Sequence, residues 1–502
     1  MFKILPILLS DYYKQCHAEQ YNPKVTTIVS YLTPRMTRLQ SQDTLICFGV
    51  QYFCKKFLID MFNEEFFKRP LEEVLSEYHR VIANTLHPVA CNAERIKKLH
   101  RLGYLPLQIR ALAEGTQVPV HVPMIEIRNT HPDFAWLTNF IESVMSSELW
   151  HTMISANVGY SYRLIVNLFY ALTVDDDIPR SRALGDFSFR GQHSYESATK
   201  SSAAFCLSFL NTATVPAIPW LEYYYNCDCT KEDVAYGAIS TEHSVMCSNY
   251  ALDGNERSLV ERLLTSIYKG VPFSMVGDSY DYWNMVTQIL PLLRDDIVNH
   301  GATFLIRGDS GDPVDIICGN PAASTEAERK GTVECLWDAF PGTINSKGFK
   351  VLPSYIKAIY GDSITQERCQ RIYRRLMDKG FATNNVSLGV GSFSFMCIEE
   401  GGELKPYTRD TFGIAVKATY GEAGFKDFDI FKDPKTDTGH FKKSQKGICR
   451  VYRAAGGVLV YEDGLRPNHG KPDLLHPVFR NGKLLNETTL SEIRNRLHGG
   501  KF

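Results

Sequence analysis

Three short apolar runs in the second half of the chain each end in Gly-Asp. Phe273-Ser-Met-Val276 leads into Gly277-Asp278, Thr303-Phe-Leu-Ile-Arg307 into Gly308-Asp309, and Ile356-Lys-Ala-Ile-Tyr360 into Gly361-Asp362. A fourth run, Asn385-Val-Ser-Leu388, opens into Gly389-Val-Gly-Ser392. Runs of this length and apolarity read as strands buried on both faces, as in a parallel sheet. A helical pattern from Thr365 to Lys379 fills the gap before the fourth run. Strands alternating with helices predict a β/α barrel or a doubly wound sheet. In a barrel, functional side chains gather where the strands end. A single Gly-Asp is an ordinary turn, but three in succession at strand ends point to a site.

The flanks read differently. Asp43 to Phe66 and Leu71 to Asn84 carry helical periodicity, residues 105–128 alternate like short strands, and Trp136 to Trp150 returns to a helix. Beyond residue 410 come a Lys-rich segment and two β-like runs, Ile448 to Arg453 and Gly457 to Tyr461. With 502 residues the chain needs two or three compact units. The expected architecture is α/β: a barrel-like β/α domain over residues 181–395, with an α+β domain built from residues 1–180 and 396–502.

A formal net charge of -1 gives no general attraction for nucleic acid or an anionic membrane, so neither is an expected partner. Any phosphate site must be a local cluster. The apolar opening from Phe2 to Leu9 is too short for a signal peptide or a membrane span. The 13 cysteines are odd in number, and Cys227, Cys229 and Cys247 lack zinc-site spacing, so reduced thiols in the cytoplasm are expected.

Local chemistry then narrows the choices. In Ser240-Thr-Glu-His-Ser244, Ser240 or Thr241 is expected to cap a helix with Glu242 in its first turn. His243 then lies at the positive helix end, where it could bind an anion or attack phosphorus; a plain capping histidine would look the same. Arg307 and Asp309, two apart on a strand, face one way and could share a ligand, or form a structural ion pair. Gly389 to Ser392 is a short turn of the kind that offers N–H groups to phosphate. Asp186 to Gly191 carries two aromatics and Arg190; one ring could stack on a flat heterocycle, and Phe189 is expected in the core.

Taken in order, these motifs resemble the nicotinamide phosphoribosyltransferases, close kin of the nicotinate enzymes. The resemblance runs nearly end to end: Asp11-Tyr-Tyr-Lys14, Tyr31 to Arg35, Trp136 to Asn139, Asp186 to Gly191, Glu242 to Ser244 and Asp278 to Asp281. It continues through Arg307 to Gly311, Asn345 to Gly348, Gly361-Asp362, Thr408 to Asp410, Phe431 to Pro434 and Asp473 to His476. It implies the type II phosphoribosyltransferase fold and a homodimer with shared active sites. It implies that the phosphoribosyl group of 5-phosphoribosyl 1-pyrophosphate passes to nicotinamide, with Mg²⁺ carried on the pyrophosphate and ATP as co-substrate. By that resemblance Phe187 stacks on the pyridine ring, with Tyr13 of the partner subunit on the other face and Arg307 at the carboxamide. Asp309 and Asp362 hold ribose hydroxyls. The backbone around Gly361, Gly391 and Ser392 holds the 5′-phosphate, and Arg190, Arg35, Arg409 and Lys417 face the phosphates. His243 matches the histidine that ATP phosphorylates, and Asp278 orients it.

The sequence departs from that pattern at Ala213, in Asn211-Thr-Ala-Thr-Val215, where the nicotinamide enzymes carry an aspartate that accepts from the carboxamide. One lost buried acceptor is worth about 1–3 kcal/mol, which brings nicotinate, or both bases, into consideration. Ser392 replaces a frequent glycine. A weakly active homologue serving as a binding or signalling protein is the alternative from another class; retention of His243, Arg307, Asp309 and Asp362 weighs against it.

Overall fold

A computed structural model describes residues 3–432, 435–436 and 444–502. Phe2, the Asp433-Pro434 end of the motif beginning at Phe431, and part of the Lys-rich segment lie outside the described residues. The chain forms two compact units. One comprises residues 1–154, 223–227 and 407–501; the other comprises 155–222, 228–406 and Phe502. Where limits near 180 and 395 are expected, the units change at 154/155 and 406/407. No helix among the described residues is long and apolar enough to cross a membrane.

The first unit is built on a seven-stranded antiparallel sheet to which both ends of the chain contribute. Val25–Thr33 pairs with Ala415–Ala423 on one side and Ile125–Asn129 on the other, and Leu107–Ala111 pairs with His476–Arg480. The expected helical stretch from Asp43 begins instead with a short strand, Thr44–Ile46, bonded to Gln117–Pro119. Helical turns follow from Val50 to Phe67 and again over Leu71–Thr85.

The second unit holds a six-stranded all-parallel sheet. Its strands are β1 (Leu184–Asp186), β2 (Asn211–Thr212), β3 (Phe273–Val276), β4 (Phe304–Gly308), β5 (Ile356–Tyr360) and β6 (Val386–Val390), in the spatial order β2-β1-β6-β5-β4-β3. Apolar side chains such as Phe304, Ile306, Ala358 and Tyr360 are buried on one face. The helix Gln366–Asp378 between β5 and β6 shows how such a sheet is covered. Thr365 caps it by accepting from the Arg368 N–H at 3.2 Å, and Cys369, Ile372, Tyr373 and Leu376 form its buried stripe at helical spacing.

The two edges of this sheet are joined by the segment 236–241. Tyr236 bridges to Asn211 in β2, and Ser240 bridges to Ser274 in β3, both in parallel sense. The Tyr236 N–H donates to the Leu210 carbonyl at 2.6 Å, and the Thr241 N–H to the Ser274 carbonyl at 3.2 Å. An irregular segment therefore completes the ring, and it leads directly to His243.

Candidate active site

Parallel strands all end on one side, so the residues just beyond their ends are brought together. Asp278, Asp309 and Asp362 lie within two residues of the ends of β3, β4 and β5. In β4 the alternation that buries Phe304 and Ile306 turns Arg307 and Asp309 the opposite way. Their side chains meet with Arg307 Nη2 3.4 Å from Asp309 Oδ2. Arg307 Nη1 donates to Ser240 Oγ at 3.0 Å, while its Nε is buried with no partner. The guanidinium is thus held between a carboxylate and a hydroxyl.

His243 stands over the same carboxylate. Its Nε2 lies 3.7 Å from Asp278 Oδ1 and 4.0 Å from Asp309 Oδ2, and its Nδ1 lies 3.1 Å from Ser279 Oγ. The helix His243–Asp253 begins at this histidine, with Glu242 at the capping position rather than Ser240 or Thr241. The displaced cap has a reason: Thr241 Oγ1 accepts from the Val276 N–H at 3.0 Å and so ties the closing segment to β3. Asp278 is nearly buried, and its Oδ2 accepts from the N–H groups of Asp309 and Ser310 and from Ser310 Oγ at 3.0, 2.7 and 2.6 Å. Burial pushes the Asp309 carboxyl above the usual carboxylate range; Arg307 and His243 pull it back, and Asp278 and Asp362 add to the rise. Asp362 accepts from Ser363 Oγ at 2.9 Å.

Phe187 forms the floor. A methyl group on Gly389 would clash with Phe187 Cδ2 and lie 2.6 Å from its Cε2, and one on Gly185 or Gly361 would also touch the ring. Gly389 therefore belongs to β6, where it makes room for the ring, and the expected turn is confined to Gly391-Ser392. Nothing approaches the open side of Gly391. Ser392 packs against Gly191, with its Oγ in the space that a methyl on that glycine would need, which joins the turn bearing Arg190 to the turn after β6. Phe189 is 39% exposed rather than in the core: the short helical turn Phe189–Gly191 carries it outward with Arg190.

Ala213 is exposed just beyond β2, and its N–H donates to the Asp186 carbonyl at 2.8 Å. The Asp186 side chain is fully buried. It accepts from Thr212 and Thr214 hydroxyls at 2.9 and 3.1 Å, from the Ser188 N–H at 3.0 Å and from Ser202. These bonds lock the ends of β1 and β2 together and fix the approach to Phe187. Asp186 and Ser279 take part in this arrangement without having been distinguished within the sequence motifs, and Ser240 and Gly389 meet Arg307 and Phe187 where a cap and a turn were expected.

Tyr13, Arg35, Arg409 and Lys417 belong to the other unit. Lys417 lies on the strand Ala415–Ala423, opposite Tyr31. Burial pulls its ammonium below the ordinary lysine range; Glu142 opposes this, and Arg35, Lys432 and Lys14 reinforce it. Arg35 donates to the Gly413 carbonyl at 3.0 Å, and Lys14 pairs with Glu142 at 2.8 Å. A cluster so rich in cations suits an anionic ligand. Arg409 pairs with Asp410 at 2.8 Å. Tyr13 exposes 59% of its surface, with its hydroxyl 3.3 Å from Asp11 Oδ2.

Residues 183–482 match the model of the nicotinate phosphoribosyltransferase family, and residues 6–84 match the N-terminal domain of nicotinamide phosphoribosyltransferase. The chain is 38% identical to a nicotinamide phosphoribosyltransferase of Acinetobacter baylyi over 99% of this chain and 97% of the relative. It is 29% identical to that of Xanthomonas campestris over 97% of each. Among solved structures, nicotinate-nucleotide pyrophosphorylase from Pyrococcus furiosus aligns with a TM-score of 0.58 at 14% identity, covering 97% of this chain and 93% of that one. Human nicotinic acid phosphoribosyltransferase aligns with a TM-score of 0.55 at 14% identity, covering 98% and 93%. At such identity these two structures speak for the fold alone.

Proposed function

The chain belongs to the nicotinate phosphoribosyltransferase family, and on that premise we propose that it makes nicotinamide mononucleotide and pyrophosphate from nicotinamide and 5-phosphoribosyl 1-pyrophosphate. The observation that carries this reading is the convergence of Arg307, Asp309 and His243 at strand ends around the Phe187 floor. A flat base stacks on Phe187, and the Arg307 guanidinium meets its carbonyl oxygen. Asp309 and Asp362 accept from the ribose hydroxyls. The pyridine nitrogen is a weak nucleophile, so holding it in line with the anomeric carbon contributes much of the acceleration. Positive charge on that carbon grows as pyrophosphate departs, and Arg190, in the same unit as Asp309, is a cation suited to receive the leaving group.

Mg²⁺ enters this reading on the pyrophosphate. The ion favours oxygen ligands and shares them with substrate phosphates. Burial is the main cause that raises the Asp309 carboxyl, and Asp278 and Asp362 add a smaller like-charge contribution that a nearby divalent cation would relieve. When bound, it neutralises charge on the leaving group. ATP is the proposed co-substrate, phosphorylating His243. The enzyme is proposed to act in the cytoplasm as a homodimer, and the exposed ring of Tyr13 is available to complete a neighbouring site.

The direct test is mononucleotide formation from nicotinamide and from nicotinate in parallel, each with and without ATP. Turnover of nicotinamide supports the reading, and turnover of neither base defeats it. A second reading, use of nicotinate as well, is favoured by one observation: the exposed position beyond β2 carries the methyl group of Ala213 and no carboxylate. Ala213→Asp is expected to shift the kcat/KM ratio about 10-fold toward nicotinamide, since one hydrogen bond to a charged group is worth about 1.5–3 kcal/mol and the low end of that range is about a factor of ten. Competition between the two bases measures the shift, and an unchanged ratio would remove Ala213 from base selection. His243→Ala is expected to abolish ATP hydrolysis while slower base transfer persists. ATP hydrolysis at the wild-type rate in that variant would defeat the phosphohistidine assignment.

A further inference from the structure

The two nitrogens of His243 face different chemistry, and the difference assigns a task to the next residue along from Asp278. Nε2 looks toward carboxylate oxygens, Asp278 Oδ1 at 3.7 Å and Asp309 Oδ2 at 4.0 Å. Nδ1 looks toward a neutral hydroxyl, Ser279 Oγ at 3.1 Å. Two consecutive residues, Asp278 and Ser279, thus flank the imidazole from opposite nitrogens.

The Asp278 carboxylate decides where the ring proton sits. Its Oδ2 takes three donors, whereas its Oδ1 is buried with no hydrogen-bond partner. A buried acceptor without a donor is costly, and the nearest group able to supply one is an N–H on His243 Nε2. The separation of 3.7 Å exceeds a hydrogen bond and leaves the ring a small rotation to complete it. Catalytic contacts commonly tighten in this way when substrate binds. With the proton on Nε2, Nδ1 carries the lone pair.

We infer that Ser279 is a positioning residue that presents His243 Nδ1, and not Nε2, to the phosphorus of ATP. This rests on the ATP-coupled reading above. In the resting enzyme the serine hydroxyl donates to the Nδ1 lone pair and fixes the plane of the ring. In the transfer, that lone pair forms the N–P bond to the terminal phosphorus, the bond from this phosphorus to the bridging oxygen breaks, and ADP leaves with the electron pair. The proton stays on Nε2, where Asp278 balances the positive charge of the phosphorylated ring. Freed from Nδ1, the serine hydroxyl can donate to a phosphoryl oxygen. The opposite choice is disfavoured, because a phosphoryl group on Nε2 would place its oxygens against the carboxylates of Asp278 and Asp309.

The test uses the full-length protein, ATP and Mg²⁺. Rapid-quench labelling gives the rate of phosphoenzyme formation, and alkaline digestion with phosphorus NMR identifies the phosphohistidine isomer. The wild type is expected to carry phosphate on Nδ1. Ser279→Ala is expected to form phosphoenzyme about 10-fold more slowly, the scale of one lost hydrogen bond, and to yield both isomers. Ser279→Thr, which keeps the hydroxyl, is expected to restore the Nδ1 isomer and most of the rate. Rescue by threonine and a change of isomer separate positioning from a merely structural role. Phosphate on Nε2 in the wild type overturns the inference without recourse to any variant, as does an unchanged rate and isomer in Ser279→Ala. A wild type that makes mononucleotide but never a phosphoenzyme overturns the ATP-coupled reading, and the role of Ser279 with it.

Discussion

Asp309→Ala is expected to lower kcat/KM by about 10³. The carboxylate lies 3.4 Å from the Arg307 guanidinium at Nη2 and 4.0 Å from His243 Nε2. In the proposed reaction it also accepts from ribose. Charge-assisted hydrogen bonds are worth about 1.5–3 kcal/mol each, so losing two gives roughly 4 kcal/mol, the stated factor. Arg307 would keep Ser240 as its side-chain acceptor, and its freedom to swing adds to the loss. Initial rates with both substrates measure the effect; a kcat/KM near that of the wild type would remove Asp309 from the site.

The same residue sets an acid limit. Burial raises its carboxyl above the ordinary range, and in the proposed reaction the ionised form is the one that accepts from ribose. Activity should therefore fall on acidification before ordinary carboxylates titrate. Stability runs the other way. A folded-state value above the unfolded one means that the folded chain holds this proton more tightly, so protonation of Asp309 stabilises the fold as pH drops through the raised value. The group contributes a small penalty at neutral pH, where activity needs it charged.

Gly389→Ala is expected to be the other severe variant, losing about 100-fold in kcat/KM and about 1–3 kcal/mol of stability through overpacking. The glycine is needed here for space: the added methyl would press on two carbons of Phe187, Cδ2 and Cε2, the second at 2.6 Å and the first closer still. The ring must leave the floor or the strand must move. Steady-state kinetics and thermal unfolding test this together. Wild-type values in both would show that Phe187 does not lie over β6.

Much of this site could be read from the chain because strand ends carry their own punctuation. Each Gly-Asp follows an apolar run, and a parallel sheet turns that repetition into a cluster. The spacing of Arg307 and Asp309 likewise brought their side chains together, 3.4 Å apart. The features that stayed hidden depend on pairing between distant segments. Thr241 reads locally as a cap, yet it spends its oxygen on Val276. Gly389 reads as a turn until the ring carried just beyond β1 is seen occupying its side-chain space. Phe187 and Phe189 have the same local pattern, and only the short helical turn between Phe189 and Gly191 sends one inward and the other out. Asp186 shows no sign in sequence that hydroxyls 16, 26 and 28 residues away converge on it.

The irregular closure of the ring gives the fold a compliant hinge beside its reactive histidine. Regular ladders hold the other strands, whereas residues 236–241 are held by two backbone hydrogen bonds at each edge. Local opening follows the weakest set of bonds, so amide exchange in this segment should outpace that of β1 and β4, one strand further in from each edge. His243, the proposed phosphate acceptor, follows directly on this segment of the ring. Under the proposed ATP coupling, a triphosphate would enter and a diphosphate leave by loosening one seam while Phe187, Asp309 and Asp362 stay in place.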